Sequence, residues 1–285
     1  MADELERGAP WMYPWRLRDG SVTPLAGPEL PDIHRTRAEL IEADVRAALA
    51  AAGPSATVID LACNEGWFSQ RALEWGAGRV LGIDIRPELA KRAELIRDHY
   101  EIPSSRLEFR SADVFDLDLA TLGTFDVVLC LGLVYHLEDP VGALRIANTL
   151  TGRLCAIESQ LTRQTDPILL GNGRSGQYEE SAASYAAIVE TDYETNLLAS
   201  AGGVVSLVPN RAALGQAAQA AGFGRIEFAD PQTGHNHQYV VGDRAVLLAW
   251  QREHGDRSAE PASSGPPDQR RDPAASHPAV LNPPG

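Results

Sequence analysis

Val58-Ile59-Asp60-Leu61-Ala62-Cys63-Asn64-Glu65-Gly66, continuing as Trp67-Phe68-Ser69-Gln70-Arg71-Ala72-Leu73-Glu74-Trp75-Gly76, holds an apolar run with a carboxylate near its end, a turn through small residues and a helical pattern. A strand that runs straight into a helix brings the helix's unpaired backbone N–H groups beside the strand end. Small residues there let a ligand approach them closely. Dinucleotide sites of this kind carry three glycines, G-x-G-x-x-G, to receive a pyrophosphate. The turn Ala62–Gly66 has one. It suits a phosphate-free adenosine with an amino-acid tail, whose ammonium group is drawn to a strand-end carboxylate.

The alternation extends outward from this turn. The runs "TVIDLA", "RVLGIDI", "RLEFRSAD", "FDVVLCLG" and "GRLCAIES" predict five strands, separated by helices from about Gly66, from Pro87 to about His99 and from Asp139 to Leu150. "NRAALGQAAQAAGF" predicts a last helix ending at Gly222, and "RIEFADP" and "RAVLLAWQ" two closing strands. Strands joined by crossover helices form a parallel sheet with right-handed connections. The expected architecture is therefore a doubly wound α/β fold with a mostly parallel seven-stranded sheet over 57–252, carrying an insertion at 160–208 after strand five. Residues 1–56 read as an aromatic segment and a cap helix from about Ile33 to Ala52. Residues 253–285, rich in Pro, Ser, Gly and charge, read as a disordered tail.

Composition narrows the function classes. With 44% of 285 residues hydrophobic, the chain suits one sizeable domain with additions. No stretch approaches the roughly 18 uninterrupted apolar residues of a membrane span, and "MADELERGAP" is acidic where a signal peptide is basic and then apolar, so a cytoplasmic protein with no membrane partner is expected. Cys63, Cys130 and Cys155 lie in apolar runs without zinc or cluster spacing, which predicts buried thiols and no metal. Lys plus Arg is 25 against 39 Asp plus Glu, a net charge of −14 that repels phosphate backbones and disfavours nucleic acid.

Asp60 is the first of three acids at successive strand ends. Asp84 closes the second strand, where a carboxylate can accept both hydroxyl hydrogens of a ribose. Asp113 follows the third, behind Ser111-Ala112, where it can accept from an exocyclic adenine amine. Ligands of open α/β sheets bind in the crevice outside these strand ends, so the ordered array is informative where a single acid is not. Asp113 also fits an N-cap for the short segment that follows, since Asp is favoured there, and both readings stand.

In order and spacing, "VIDLACNEGWFS", "VLGIDIRPE", "SADVFDL" and "FDVVLCLGLVYHLEDP" resemble the successive motifs of class I S-adenosylmethionine methyltransferases. More narrowly, "DLACNEGWFS", "GLVYHLEDP", the "IES" after strand five, "VPNRAALGQAAQAAGF" and the opening "YPWRLRDGSVTP" resemble a bacterial subgroup akin to wobble-uridine carboxymethyltransferases and their small-molecule relatives. The resemblance implies a Rossmann-like fold with S-adenosyl-L-methionine as cofactor. It implies Asp60, Ala62, Asn64 and Gly66 at the methionine end, Asp84 and Ile85 at the ribose, Asp113 and Val114 at the adenine, and Leu131 and Gly132 near the sulfonium. The chain departs from the pattern at Ala62, where the family usually has glycine.

The acceptor side is less constrained. His136, just after the fourth strand, either takes a proton from a hydroxyl or amine nucleophile or orders its loop. Tyr135 either packs on the cofactor or fills the core. Trp11, Tyr13 and Trp15 either wall a pocket for a flat substrate or anchor the N-terminal segment. Tyr178 and Tyr193, set among Glu179, Glu180, Glu190, Asp192 and Glu194, are expected in an acidic lid that leans against anionic substrates. His235 and His237 fall on the same side of an extended segment, with substrate contact open to them and no acid at metal-ligand spacing. The leading expectation is an enzyme that methylates an oxygen or nitrogen of a small-molecule metabolite, as secondary metabolism requires. A homodimer is compatible with the sequence, which does not fix the oligomeric state. One alternative is a tRNA wobble-uridine modifying enzyme, poorly served by an insertion that sets Arg163 and Arg174 against Asp166, Glu179, Glu180, Glu190, Asp192 and Glu194 in a chain whose only lysine is Lys91. The other is a non-catalytic S-adenosylmethionine-binding protein, supported by Ala62 alone.

Overall fold

The computed structural model describes residues 10–164, 168–171, 178–189 and 205–251, and the structural statements below concern those residues. Residues 253–285, expected to form a tail, lie outside them. The sheet is built from β1 (Thr57–Leu61), β2 (Arg79–Asp84), β3 (Leu107–Ser111), β4 (Phe125–Leu131) and β5 (Thr151–Gln160), which pair in parallel. The insertion contributes two antiparallel hairpins, β6 (Ile168–Gly171) with β7 (Tyr178–Ser181) and β8 (Tyr185–Val189) with β9 (Val205–Pro209). β10 (Arg225–Phe228) and β11 (Arg244–Trp250) then complete a seven-stranded sheet of order β10-β11-β5-β4-β1-β2-β3, with β11 antiparallel to both its neighbours. The chain winds outward from β1 to β3 and then returns to β4 on the other side of β1. The carboxyl ends of β1 and β4 therefore diverge into a crevice at that switch point.

Helices cover both faces. On one side lie α1 (Leu30–Ala52), α2 (Trp67–Glu74) and α3 (Pro87–His99); on the other lie α4 (Leu119–Leu122), α5 (Pro140–Leu150) and α6 (Arg211–Ala221). A short α7 (His237–Val240) precedes β11. The boundaries follow from local chemistry. Pro87 and Pro140 occupy first-turn positions where no N–H is needed, the side chains of Asp139 and Asn210 accept from the N–H groups of Gly142 and Ala213, and α6 stops at Gly222 in a left-handed conformation. Val58, Ile59, Leu61, Val127 to Cys130 and Leu154 to Ile157 are buried on both faces, as parallel strands between helices require. Each fully buried leucine, such as Leu129 or Leu144, contributes about 1.5–3 kcal/mol. α1 is longer than the expected cap helix by one turn at its start. It buries a stripe at four-residue spacing, Ile33, Arg37, Ile41, Val45 and Leu49, in which one member is a cation.

Candidate active site

The turn after β1 is set by backbone geometry. Ala62 (φ 59°) and Asn64 (φ 53°) both take the left-handed conformation that L-residues other than glycine rarely adopt. Asn64 donates its N–H to one oxygen of Asp84 at 2.8 Å, and Arg86 donates its own to the other at 2.9 Å. One strand-end carboxylate thus ties two loops together while each oxygen keeps a second lone pair. Gly66, the N-cap of α2 (φ 79°), cannot carry a side chain, because a Cβ there would lie 2.5 Å from the Phe109 ring. Its role is packing.

These loops open onto a cavity of about 580 Å³. Ala62, Asn64, Asp84, Ile85, Asp113, Val114, Leu131 and Gly132 line it together, from the ends of β1, β2, β3 and β4. Asp60 and Gly66 do not. Asp60 is 2% exposed and accepts from the Ser69 hydroxyl at 2.7 Å. Burial raises its pKa to about 7; Asp84 nearby adds to the rise, while Ser69 and Arg37 oppose it. Burial also raises the Asp84 pKa, against its two backbone N–H donors. Asp113 both lines the cavity and caps the 3-10 turn Val114–Asp116 by accepting from the Phe115 N–H at 2.9 Å.

The opposite end of the cavity is lined by Tyr135, His136, Gln160, Arg37 and Arg244. Tyr135 and His136 lie in the 3-10 turn Val134–His136 with rings 4.2 Å apart. Behind them Glu158, fully buried on β5, is shared by Arg37 of α1 at 2.9 Å and Arg244 of β11 at 2.9 Å, and it accepts from the Tyr239 hydroxyl at 2.9 Å. Burial alone would raise the Glu158 pKa, but the two guanidiniums outweigh it and hold the carboxyl below its usual range. Sequence reasoning missed Arg37 and Arg244. The available signals were a cation on the buried stripe of α1 and a cation opening the otherwise apolar β11.

The aromatic N-terminal segment divides. Tyr13 lines the cavity, stacked on Trp67 at 5.6 Å and close to His34 at 4.2 Å. Trp11 and Trp15 are buried in packing away from the lining, Trp11 beneath the Arg92 guanidinium. The segment is tied down by Glu65, which accepts from the Met12 N–H at 2.9 Å and pairs with Arg92 at 2.6 Å. His34, not anticipated from sequence, also lines the cavity; burial lowers its pKa well below the usual value, and one ring nitrogen meets the Met12 carbonyl at 3.1 Å.

His235 and His237 lie off the lining. The segment bends instead of extending: Asn236 caps α7, which starts at His237, and His235 Nδ1 accepts from the Gln232 N–H. Among the described residues no group of three metal-ligating side chains occurs. Tyr178 opens β7, and Tyr193, Glu190, Asp192 and Glu194 lie outside the described residues. The three cysteines are buried and free, and burial raises all three thiol pKa values. Among the described residues no helix is long and apolar enough to cross a membrane.

Residues 59–151 match the family model described as a methyltransferase domain. A ubiquinone biosynthesis O-methyltransferase of Xanthomonas campestris pv. campestris (strain B100) is 32% identical over 147 residues, 52% of this chain and 55% of the relative. The chain thus spans about half the length of the curated relatives it matches. Among solved structures, the N-terminal domain of EvdMO1, crystallised in the presence of SAH and D-fucose, is 25% identical with a TM-score of 0.63, covering 88% of this chain and 94% of that one. Magnesium protoporphyrin IX methyltransferase from Synechocystis PCC 6803, with bound SAH, shares the fold at 16% identity and a TM-score of 0.51, covering 80% of this chain and 89% of that one.

Proposed function

We propose that the chain, whose residues 59–151 match a methyltransferase domain, is a class I S-adenosylmethionine-dependent methyltransferase that transfers a methyl group from S-adenosyl-L-methionine to an oxygen or nitrogen of a small molecule. The observation that carries this reading is one continuous cavity, within the roughly 300–1,000 Å³ of small-ligand sites, that runs from the strand-end acids Asp84 and Asp113 to Tyr135, His136 and Arg244. The curated relatives are O-methyltransferases by name, which favours oxygen.

The donor set suits the cofactor. The free lone pairs of Asp84 receive the ribose hydroxyls, with Ile85 beside the sugar. Asp113 receives the adenine amine over Val114, and the turn at Ala62 and Asn64 faces the methionine end. Asp60, held by Ser69 off the lining, in its ionised form draws the cationic tail, and Leu131 and Gly132 flank the sulfonium. When bound, the cofactor supplies an electrophilic methyl group. The chain's part is to hold the acceptor in line and exclude water, which is worth up to roughly 7–11 kcal/mol. His136 receives a proton where the acceptor must lose one during transfer, a contribution of about 10²–10⁴-fold. Tyr135 and Tyr13 wall the acceptor's side of the cavity.

The test pairs calorimetric titration with SAH and methyl transfer from labelled S-adenosyl-L-methionine to a small-molecule extract and to bulk tRNA. Wild type should bind SAH and label small molecules only, and His136→Asn should bind SAH equally while transferring more slowly. Absence of SAH binding, or label on tRNA alone, would overturn the reading.

A further inference from the structure

The cavity's buried end carries an unbalanced charge. Arg37 and Arg244 are 5% and 8% exposed and share one carboxylate, Glu158. The other groups around Arg244 do not neutralise it. Its Nε donates to Gln238 at 2.6 Å, its Nη1 reaches the Tyr135 hydroxyl at 3.5 Å as well as Glu158, and Tyr239 is itself a donor to Glu158. Burial keeps the Tyr239 phenol protonated. Nη2 of Arg244 has no hydrogen-bond acceptor among the described residues, and the side chain lines the cavity. Of the remaining acids, Asp84 and Asp113 line the cavity but accept from backbone N–H groups, Glu138 and Asp139 stand exposed at the lining, where solvent screens them, and Asp139 is engaged in capping α5; Asp60 accepts from Ser69 and feels Arg37, but burial raises its pKa to about 7 and leaves it only partly charged. His34 and His136 add no negative charge. A buried cation beyond one-for-one pairing calls for an anion.

Resting on the methyltransferase reading above, we propose that the acceptor is an oxygen acid, a phenol, enol or carboxylic acid, whose ionised oxygen lies against the Arg244 guanidinium beside the Tyr135 hydroxyl. The acceptor's proton leaves to solvent on binding. Its oxygen lone pair then forms the C–O bond as the methyl C–S bond breaks, with that bonding pair remaining on sulfur, so one positive and one negative charge disappear together. Ionisation on binding makes His136 secondary as a base. An ionised acceptor differs from the sequence expectation of an acidic lid leaning against anionic substrates, because Arg37 and Arg244 are buried against this part of the cavity.

The probe is p-nitrophenol, whose ionised form is yellow, titrated against pH in the presence of protein saturated with SAH. A cation within about 4–6 Å lowers an oxygen acid's pKa by about one to three pH units. The bound probe should show such a fall with wild type and with Arg244→Lys, and no fall with Arg244→Gln. The Arg244→Gln variant should fold, since it leaves Arg37 and Glu158 paired one for one, and circular dichroism checks this. Calorimetry with SAH separates the two carboxylate sources: an acceptor site leaves SAH affinity within about threefold of wild type in Arg244→Gln. If that affinity falls tenfold or more, the guanidinium serves the cofactor's own carboxylate and the proposal is overturned. It is equally overturned if the probe does not bind, or binds without ionising more readily, while SAH binds normally. Failure of SAH to bind wild type would instead remove the methyltransferase reading itself.

Discussion

The two ends of the cavity are built by opposite means. At the outer end, where Ile85 and Phe115 are partly exposed, carboxylates are positioned by backbone N–H groups: Asp84 by Asn64 and Arg86, Asp113 by Phe115. At the buried end, guanidiniums are positioned by a carboxylate, with Glu158 between Arg37 and Arg244. At the outer end Asp113 keeps contact with solvent and Asp84, though buried, is held by two backbone N–H groups. At the other end every charged member is buried, so the charges there must balance among themselves and with whatever binds.

Removing the shared carboxylate is the harshest test of that contrast. Glu158→Gln leaves two buried guanidiniums facing each other without a counter-charge, and breaking a buried ion pair in this way costs about 3–5 kcal/mol. Urea unfolding should show a loss of that size, against a much smaller one for Arg244→Gln. Equal losses would mean that Glu158 is not the element both arginines depend on.

Next in size is a difference in pH dependence. Asp60 and Glu65, buried near the β1 turn, have pKa values raised from 3.8 and 4.5 to about 7, chiefly by burial. Each binds a proton more tightly when folded, so its stabilising contribution is complete below about pH 4, declines as pH rises and is gone above about pH 7. Glu158 runs the other way. Its pKa is lowered, so its contribution is present above the usual value of 4.5 and is lost as pH falls through the depressed value. Between pH 5 and 8 the first pair dominates, and the stability of the ligand-free protein should fall by about 2–3 kcal/mol for each of the two groups. Asp60→Asn should flatten the slope, and Glu158 variants should leave it unchanged in that window. Urea midpoints across the range read both.

Asp84→Asn sharpens the outer end. Alanine is a poor choice there, because Asp84 also holds the backbone of Asn64 and Arg86; asparagine keeps one acceptor and removes the charge. Losing a charge-assisted hydrogen bond of about 1.5–3 kcal/mol predicts SAH binding weaker by about 10–100-fold in calorimetry. Asp113→Asn, at a half-buried position, should cost less.

The same contrast explains what could be read from the sequence. Asp60, Asp84 and Asp113 each lie at the end of a predicted strand, so period and topology alone brought them to one edge of the sheet, and the helices at Pro87–His99 and Pro140–Leu150 start at prolines, the second behind the capping Asp139. Even so, the structure gave Asp60 to Ser69 and Gly66 to Phe109, because a residue near the crevice can be consumed by packing. The buried end was illegible for a different reason. Arg37, Glu158 and Arg244 come from α1, β5 and β11, and no local spacing links them. Only a cation sitting on an apolar stripe hinted that a partner existed. The aromatic segment divided for want of a rule: Tyr13 reached the cavity and Trp11 and Trp15 went under it, though all three read alike.

The smallest expected effect lies in the turn that follows β1. Ala62 holds φ at 59°, a conformation in which its methyl crowds the following carbonyl. Glycine there would remove that strain and at the same time widen the unfolded ensemble, two effects of opposite sign. Substitutions at positive-φ positions show that the strain exceeds the roughly 0.4–1 kcal/mol of chain entropy, so Ala62→Gly should stabilise the protein by about 1 kcal/mol, read as a higher urea midpoint with unchanged slope. Because Ala62 also lines the cavity, loss of its methyl should leave SAH affinity equal or modestly tighter. A destabilised Ala62→Gly protein would show instead that the methyl is packed productively, and that the outer end, like the buried one, depends on contacts its local sequence does not announce.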